Sequence, residues 1–254
     1  MENKTNVGTN RSGIKMSPID SDALLEVTEM TVPTSPGDAT ALNTIRADYI
    51  ADADGLGAVP PPLTVRGAAS SAIAGLTGHH ASVLIDKLGE RLAFERGGVR
   101  LYDAFIGKLE MLQGARKGGS NGDGWPPMAT VRSFREQELA HAHLLADALE
   151  KLGADPTAQT PCANLTGMTN MGLMQAMSDP RTNLAQSLQV LLMAEVADGE
   201  GWSGLIALAK DAGQSDLARH FSRALAEEER HTTSVRTWYR DAVAQDASVA
   251  PTRH

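Results

Sequence analysis

Two stretches of the chain carry a glutamate with a histidine three residues later, Glu138-Leu139-Ala140-His141 and Glu228-Glu229-Arg230-His231. On a helix that step puts both side chains on one face, about one turn apart. A carboxylate and an imidazole so placed can ligate a metal ion. A lone pair of this kind carries little weight, because most consist of a solvated glutamate and an indifferent histidine. Here the neighbours give the pairs meaning. Glu228 and His231 lie on a stripe that reads Leu217, Phe221, Ala224, Glu228, His231, Val235, Trp238. Its steps alternate four and three, the period of one buried helical face. Glu138 and His141 lie on a second stripe, Phe134, Glu138, His141, Leu145, Ala148, Leu152. Two more stripes each hold a glutamate near the midpoint. One is Leu88, Leu92, Glu95, Val99, Tyr102, Ile106, Leu109; the other is Leu184, Leu188, Leu191, Glu195, Asp198, Trp202, Leu205, Leu208.

Four carboxylates and two imidazoles are thus aimed at one axis. Bare, each buried charge costs several kcal/mol even after relaxation. Two divalent cations cancel the four negative charges, with bridging carboxylates holding the ions as a pair and one histidine terminal on each. Mixed oxygen and imidazole donors suit iron or manganese better than zinc or copper, though affinity order alone does not exclude the latter two. The expected cofactor is two iron ions, with manganese as the alternative. The predicted ligands are Glu95, Glu138, His141, Glu195, Glu228 and His231. Glu136, Glu227 and Glu229 fall off the stripes and read as solvated, while His79, His80, His143 and His220 have no convergent partners.

The stripes require four long helices, predicted over 83–113, 130–152, 181–212 and 215–244. Gly114, Gly153 and Gly213 stand just past three of the ends, Asp179-Pro180 supplies a cap and first residue for the third helix, and Ser215 caps the fourth. The connections 114–129 and 153–178 are long and the last is almost nil, a standard topology for a four-helix bundle with a long middle crossover. The fold class read from this pattern is all-α. Residues 1–38 read as a flexible tail, 39–82 as short helices (41–54 and 67–77) packing on the bundle, 83–245 as the bundle, and 246–254 as a C-terminal tail.

The residues Glu95, ELAH (138–141), Glu195 and EERH (228–231) resemble the ferritin-like di-iron-carboxylate superfamily, especially bacterioferritins and rubrerythrins, over residues 83–245. The step of 33 residues from Glu195 to Glu228 is similar to the family's hairpin, and the step of 43 from Glu95 to Glu138 is ten longer, with the surplus in ARKGGSNGDGWPP. The resemblance implies a ferritin-like bundle in which Glu138 and Glu228 bridge the metals. It also implies that Tyr102 is the tyrosine beside the oxidation site, in a catalytic or hydrogen-bonding role. Asp198 stands where rubrerythrins carry an additional glutamate, one methylene longer. The activity implied is a ferroxidase or peroxidase-type oxidoreductase, oxidising Fe(II) or another reductant with O2 or H2O2 and drawing on an unknown electron donor. The alternatives are a di-manganese catalase, an organic-substrate oxygenase and a metal-free structural bundle. A chain with only Cys162 cannot build a rubredoxin module, and only AQDASVAPTRH follows the fourth helix, which puts iron storage behind simple oxidation.

Composition bounds the rest. The chain has 254 residues, 42% apolar and 4% aromatic, with no alternating strand runs. Its net charge of −8 argues against nucleic acid, which requires a basic surface. No apolar leader and no membrane-length stretch stand out, and a single cysteine fits a reducing compartment, so a cytoplasmic homo-oligomer (dimer or larger) is expected. Two oddities remain. Met168, Met171, Met174 and Met177 recur every third residue, fitting either a soft-cation site or, preferably, an apolar stripe on a short helix. Gly97, Gly98, Gly199, Gly201 and Gly204 cluster beside the glutamates, where helix-interior glycine costs about 1 kcal/mol each and implies close helix approach or a cavity.

Overall fold

The computed structural model describes residues 39–53, 79–115 and 124–248, with the side chains of 79–81 and 115 excepted, and a few single positions between 19 and 30. The expected tail over most of 1–38, the helix over 67–77, most of the first long connection and residues 249–254 lie outside them. Among the described residues there are six continuous helices and no strand, an all-α architecture. None is long and apolar enough to cross a membrane.

The chain divides into a unit of residues 1–55 and another of 56–254. The first holds α1 (Thr40–Asp52), which buries no side chain. The second holds α2 (His79–Ala115), α3 (Met128–Lys151), α4 (Pro161–Ser178), α5 (Leu184–Asp211) and α6 (Ser215–Ser248). α2 packs along α3, α4 and α5, and α5 packs along α6. The stripes bury except at Val99 and Leu208, which are half-buried: Leu88, Leu145, Leu188 and Phe221 are fully inside.

Capping chemistry sets the boundaries. Past α3, Gly153 N–H bonds Glu150 O and Ala154 N–H bonds Leu149 O; past α5, Gly213 and Gln214 repeat the arrangement on Lys210 and Ala209. Both glycines sit at positive φ, 78° and 73°, the left-handed turn that ends a helix without steric cost only for glycine. Gly213→Ala is expected to cost at least about 1 kcal/mol in thermal unfolding. Gly114 does not act this way, because α2 continues through it to Ala115. The third long helix starts at Leu184 rather than 181. Asn183 accepts from the Gln186 backbone while the Gln186 side chain accepts from the Asn183 N–H, a reciprocal cap that Asp179 cannot match. Asp179 instead ends α4 and binds the backbone and guanidinium of Arg181.

The long crossover contains α4, started by Thr160, whose hydroxyl accepts from the Ala163 N–H, with Pro161 behind it. The methionine row does not lie on one buried face. Met177 is buried and Met174 half-buried, but Met168 and Met171 are 64% and 66% exposed. A three-residue step lags the 3.6-residue turn, so the row winds round the helix from solvent to core.

Candidate metal centre

Two apolar plugs bracket the middle of the four long helices. One is built around Leu88, Leu145, Leu205 and Phe221, the other around Phe105, Val131, Leu191 and Val235. Between them lie all six predicted ligands, Glu95, Glu138, His141, Glu195, Glu228 and His231, none more than 3% exposed. Water cannot solvate these charges, so whatever satisfies them must lie inside.

Their inward atoms have no hydrogen-bond partner: Glu95 Oε2, Glu138 Oε2, Glu195 Oε2, both oxygens of Glu228, and Nδ1 of His141 and His231. The atoms nonetheless crowd together. His141 Nδ1 lies 2.8 Å from Glu228 Oε1 and 3.6 Å from Glu95 Oε2. His231 Nδ1 lies 3.0 Å from Glu228 Oε2, 3.4 Å from Glu138 Oε1 and 3.6 Å from Glu195 Oε2. Donors held about 2.1 Å from one ion at right angles sit about 3 Å apart, so these spacings fit shared coordination. Lone pairs that converge without aligning on one another are what a cation needs and what a hydrogen bond does not. Three overlapping groups emerge, with ligand atoms within 4.8 Å of one another: two contain a histidine, Glu95–His141–Glu228 and Glu138–Glu195–Glu228–His231, and the third is all carboxylate, Glu95–Glu138–Asp198–Glu228. Glu228 belongs to all three and presents one oxygen to each histidine, the geometry of a bridge. The buried Glu and His side chains can therefore hold metal.

The outward atoms are tied down. His141 Nε2 pairs with Glu227 Oε2 at 2.9 Å, and His231 Nε2 with Gln137 Oε1 at 2.8 Å. An acceptor on Nε2 holds the ring's proton there and turns the Nδ1 lone pair inward. Glu227 is thus no idle surface charge, as its place off the stripe suggested; it reaches back across the helix pair to orient His141. Glu95 Oε1 accepts from Arg91 Nη2 at 2.7 Å, and Glu195 Oε1 accepts from the Tyr102 hydroxyl. Burial and the Glu195 carboxylate push the Tyr102 phenol well above its ordinary range, which keeps it a neutral donor. Tyr102→Phe removes that donor and leaves Glu195 Oε1 unpaired. The expected result is a 10- to 100-fold weaker metal affinity with the fold intact, read by metal titration.

Electrostatics also favour a cation. Burial, then Glu95, Glu228 and Glu195 around it, push the Glu138 carboxyl well up. Glu195 is raised to about 7 by burial, with His231 and Tyr102 opposing. Burial works against ionised Glu228 too, yet His141 and His231 hold it down to about 2. Both histidines resist burial and are drawn up to about 10, His141 by Glu228 and Glu95, His231 by Glu195 and Glu228. Without metal the cluster gathers protons to offset its own negative charge, and a metal ion displaces them.

Two charged residues complete the layer. Arg91, 3% exposed, also donates to Asp198 Oδ1, and its guanidinium lies over Phe94 and Trp202 at 4.5 and 5.6 Å. Asp198 lies within ligand range of Glu95, Glu138 and Glu228, but the guanidinium occupies it. Arg91 cancels Asp198 and leaves four carboxylates, the charge that two divalent ions neutralise. The stripe reading passed over Arg91, although its place four residues before Glu95 puts it on the same face.

The glycines make room for side chains rather than for helices. A Cβ on Gly98 would lie 2.2 Å from Glu138 Oε2, one on Gly201 2.3 Å from Arg91 Nη1, and one on Gly97 2.7 Å from Asn170 Nδ2. Gly199 and Gly204 would meet nothing within 4 Å. Gly199 opens instead onto a groove of ≈ 510 Å³ between α5 and α6, lined by Glu195, Glu200, Glu229, Thr232 and Arg236. The groove also holds Val196 and Leu225, so its lining mixes polar and apolar side chains, and it reaches a predicted ligand.

No protein family, curated protein or solved structure matches the chain.

Proposed function

We propose that the four long helices form a ferritin-like four-helix bundle whose centre holds two redox-active metal ions, iron foremost and manganese as the alternative, and that the protein is an oxidoreductase consuming O2 or H2O2. The observation that carries this reading is the convergence of all six predicted ligands, each with an unpaired inward atom, in a buried layer where none is more than 3% exposed. Glu95 and His141 would hold one ion, Glu195 and His231 the other, with Glu138 and Glu228 between them.

Such a pair supplies two electrons, which with two protons convert O2 to H2O2, or H2O2 to two waters, and an external reductant such as Fe(II) restores them. The protein's part is fixed by its own residues. Glu227 and Gln137 aim the imidazoles, while Arg91 and Tyr102 each hold one oxygen of a terminal carboxylate and leave the other free. Phe134, tilted against the His231 ring with centroids 4.1 Å apart, and Trp202, edge-on to His141 at 5.5 Å, pack beside the two imidazoles. The groove beside Glu195 gives polar reactants an approach.

The test is metal content by mass spectrometry on protein produced with iron and manganese both supplied. About two irons per chain, with O2 or peroxide consumption on reduction, is the expected result. Two manganese ions would move the reading to a catalase. A folded chain that takes up no transition metal would overturn it in favour of a structural bundle.

A further inference from the structure

A second opening lies between α2 and α4, and its chemistry differs from that of the groove at Glu195. Where α4 crosses α2, an outer groove of ≈ 560 Å³ is lined by Ala93, Gly97, Arg100, Asn170, Met171 and Met174. Inside it lies a small void bounded by Phe94, Gly98, Leu101, Leu173, Met174 and Ala194, whose free space of ≈ 10 Å³ admits about one water-sized molecule. The two share Gly97, Asn170 and Met174, so the outer groove adjoins the void at the Asn170 amide, which lies against Gly97. The void ends at Gly98, and against Gly98 packs the unpaired Oε2 of Glu138, which is 2% exposed.

We infer that this throat is the path by which dioxygen reaches the centre, an inference that rests on that reading of the site. The throat is too small for an organic substrate, whose sites run to hundreds of Å³. Its wall is apolar apart from Asn170. Hydrogen peroxide passing through would give up hydrogen bonds that the wall cannot replace, whereas dioxygen has none to lose and favours apolar surroundings. Peroxide has the groove at Glu195 instead. The glycines at 97 and 98 keep the floor thin: a Cβ at 97 would push out Asn170, and one at 98 would strike Glu138.

The throat is tested first without any metal chemistry. The full chain, stripped of paramagnetic metals and methyl-labelled, is exposed to raised O2 pressure, and paramagnetic broadening is read by NMR. The Met174 and Leu101 methyls should broaden about threefold more than those of Leu145 and Leu149 in the packed plug, and Leu173→Trp should abolish the excess. Equal broadening throughout would overturn the inference. In the reduced iron-loaded protein, Leu173→Trp should slow oxidation by O2 about tenfold and leave oxidation by H2O2 unchanged; equal slowing of both, or of neither, would also overturn it. A chain that takes up no iron defeats the oxidase reading alone, since the broadening experiment still decides the throat.

Discussion

Glu228→Ala is expected to empty the centre of both ions at once. Glu228 is the one residue common to the three overlapping ligand groups, with an oxygen 2.8 Å from His141 Nδ1 and another 3.0 Å from His231 Nδ1. On the proposed reading, removing it would take a ligand from each ion and one of the four charges that would balance them. Loss of an outer partner already weakens a metal site 10- to 100-fold, so losing the bridge should weaken this one by more than about a hundredfold. The effect extends to folding. A ligand held at a thousand times its dissociation constant stabilises the native state by about 4 kcal/mol, which for a domain of this size raises the melting temperature by roughly 10 °C. Wild-type protein should therefore lose about that much on chelation, and Glu228→Ala should melt at one temperature with or without chelator. A variant that still holds two metals by mass spectrometry would remove Glu228 from the bridge. Glu138→Gln supplies a control of opposite sign. Glu138 faces three other carboxylates, so in chelated protein the neutral amide should stabilise the fold, while in loaded protein it should weaken metal binding.

The ligands were legible in the sequence because a polar residue inside an apolar helical stripe is costly and therefore conspicuous. Each of the four stripes broke its own pattern at the same depth, and the structure brings those breaks into one layer. Helix ends were legible where a left-handed glycine enforces them, as at Gly153 and Gly213, and illegible at Asn183, where the cap depends on a reciprocal bond with Gln186. The outer partners were harder to see because they do not lie on their own helix's stripe. Gln137 on α3 holds His231 on α6, and Glu227 on α6 holds His141 on α3. The residue before each of Glu138 and Glu228 thus serves the other helix's histidine. That exchange left a trace, since both segments read Gln-or-Glu, Glu, two residues, His, but the trace has meaning only once the two helices are known to be neighbours. The glycines followed the same logic. Gly98 and Gly201 answer to Glu138 and Arg91, side chains from other helices, and no local rule anticipates them.

Arg91 is the residue whose loss should cost the fold most. Its side chain is 4% exposed and stands between two carboxylates, Glu95 and Asp198, that are themselves buried. Arg91→Met keeps much of the stem's packing on Phe94 and Trp202 but strands both charges, and removing one partner of a buried ion pair typically costs about 3–5 kcal/mol. Arg91→Lys keeps the charge but loses the planar guanidinium that lies over Phe94 and Trp202, so it should recover only part of that loss. The double variant Arg91→Met with Asp198→Asn removes the stranded charge along with its partner and should be markedly more stable than Arg91→Met alone, a coupling that identifies the pair and not the arginine's bulk as the cause. Gly201→Ala offers an independent check, since its methyl would lie 2.3 Å from Arg91 Nη1 and must displace the guanidinium. Denaturant unfolding of chelated protein measures all four without interference from metal. If Arg91→Met unfolds within about 1 kcal/mol of wild type, the ion pair contributes no more than an exposed one, and the balance of charge at the centre must be held by something other than Arg91.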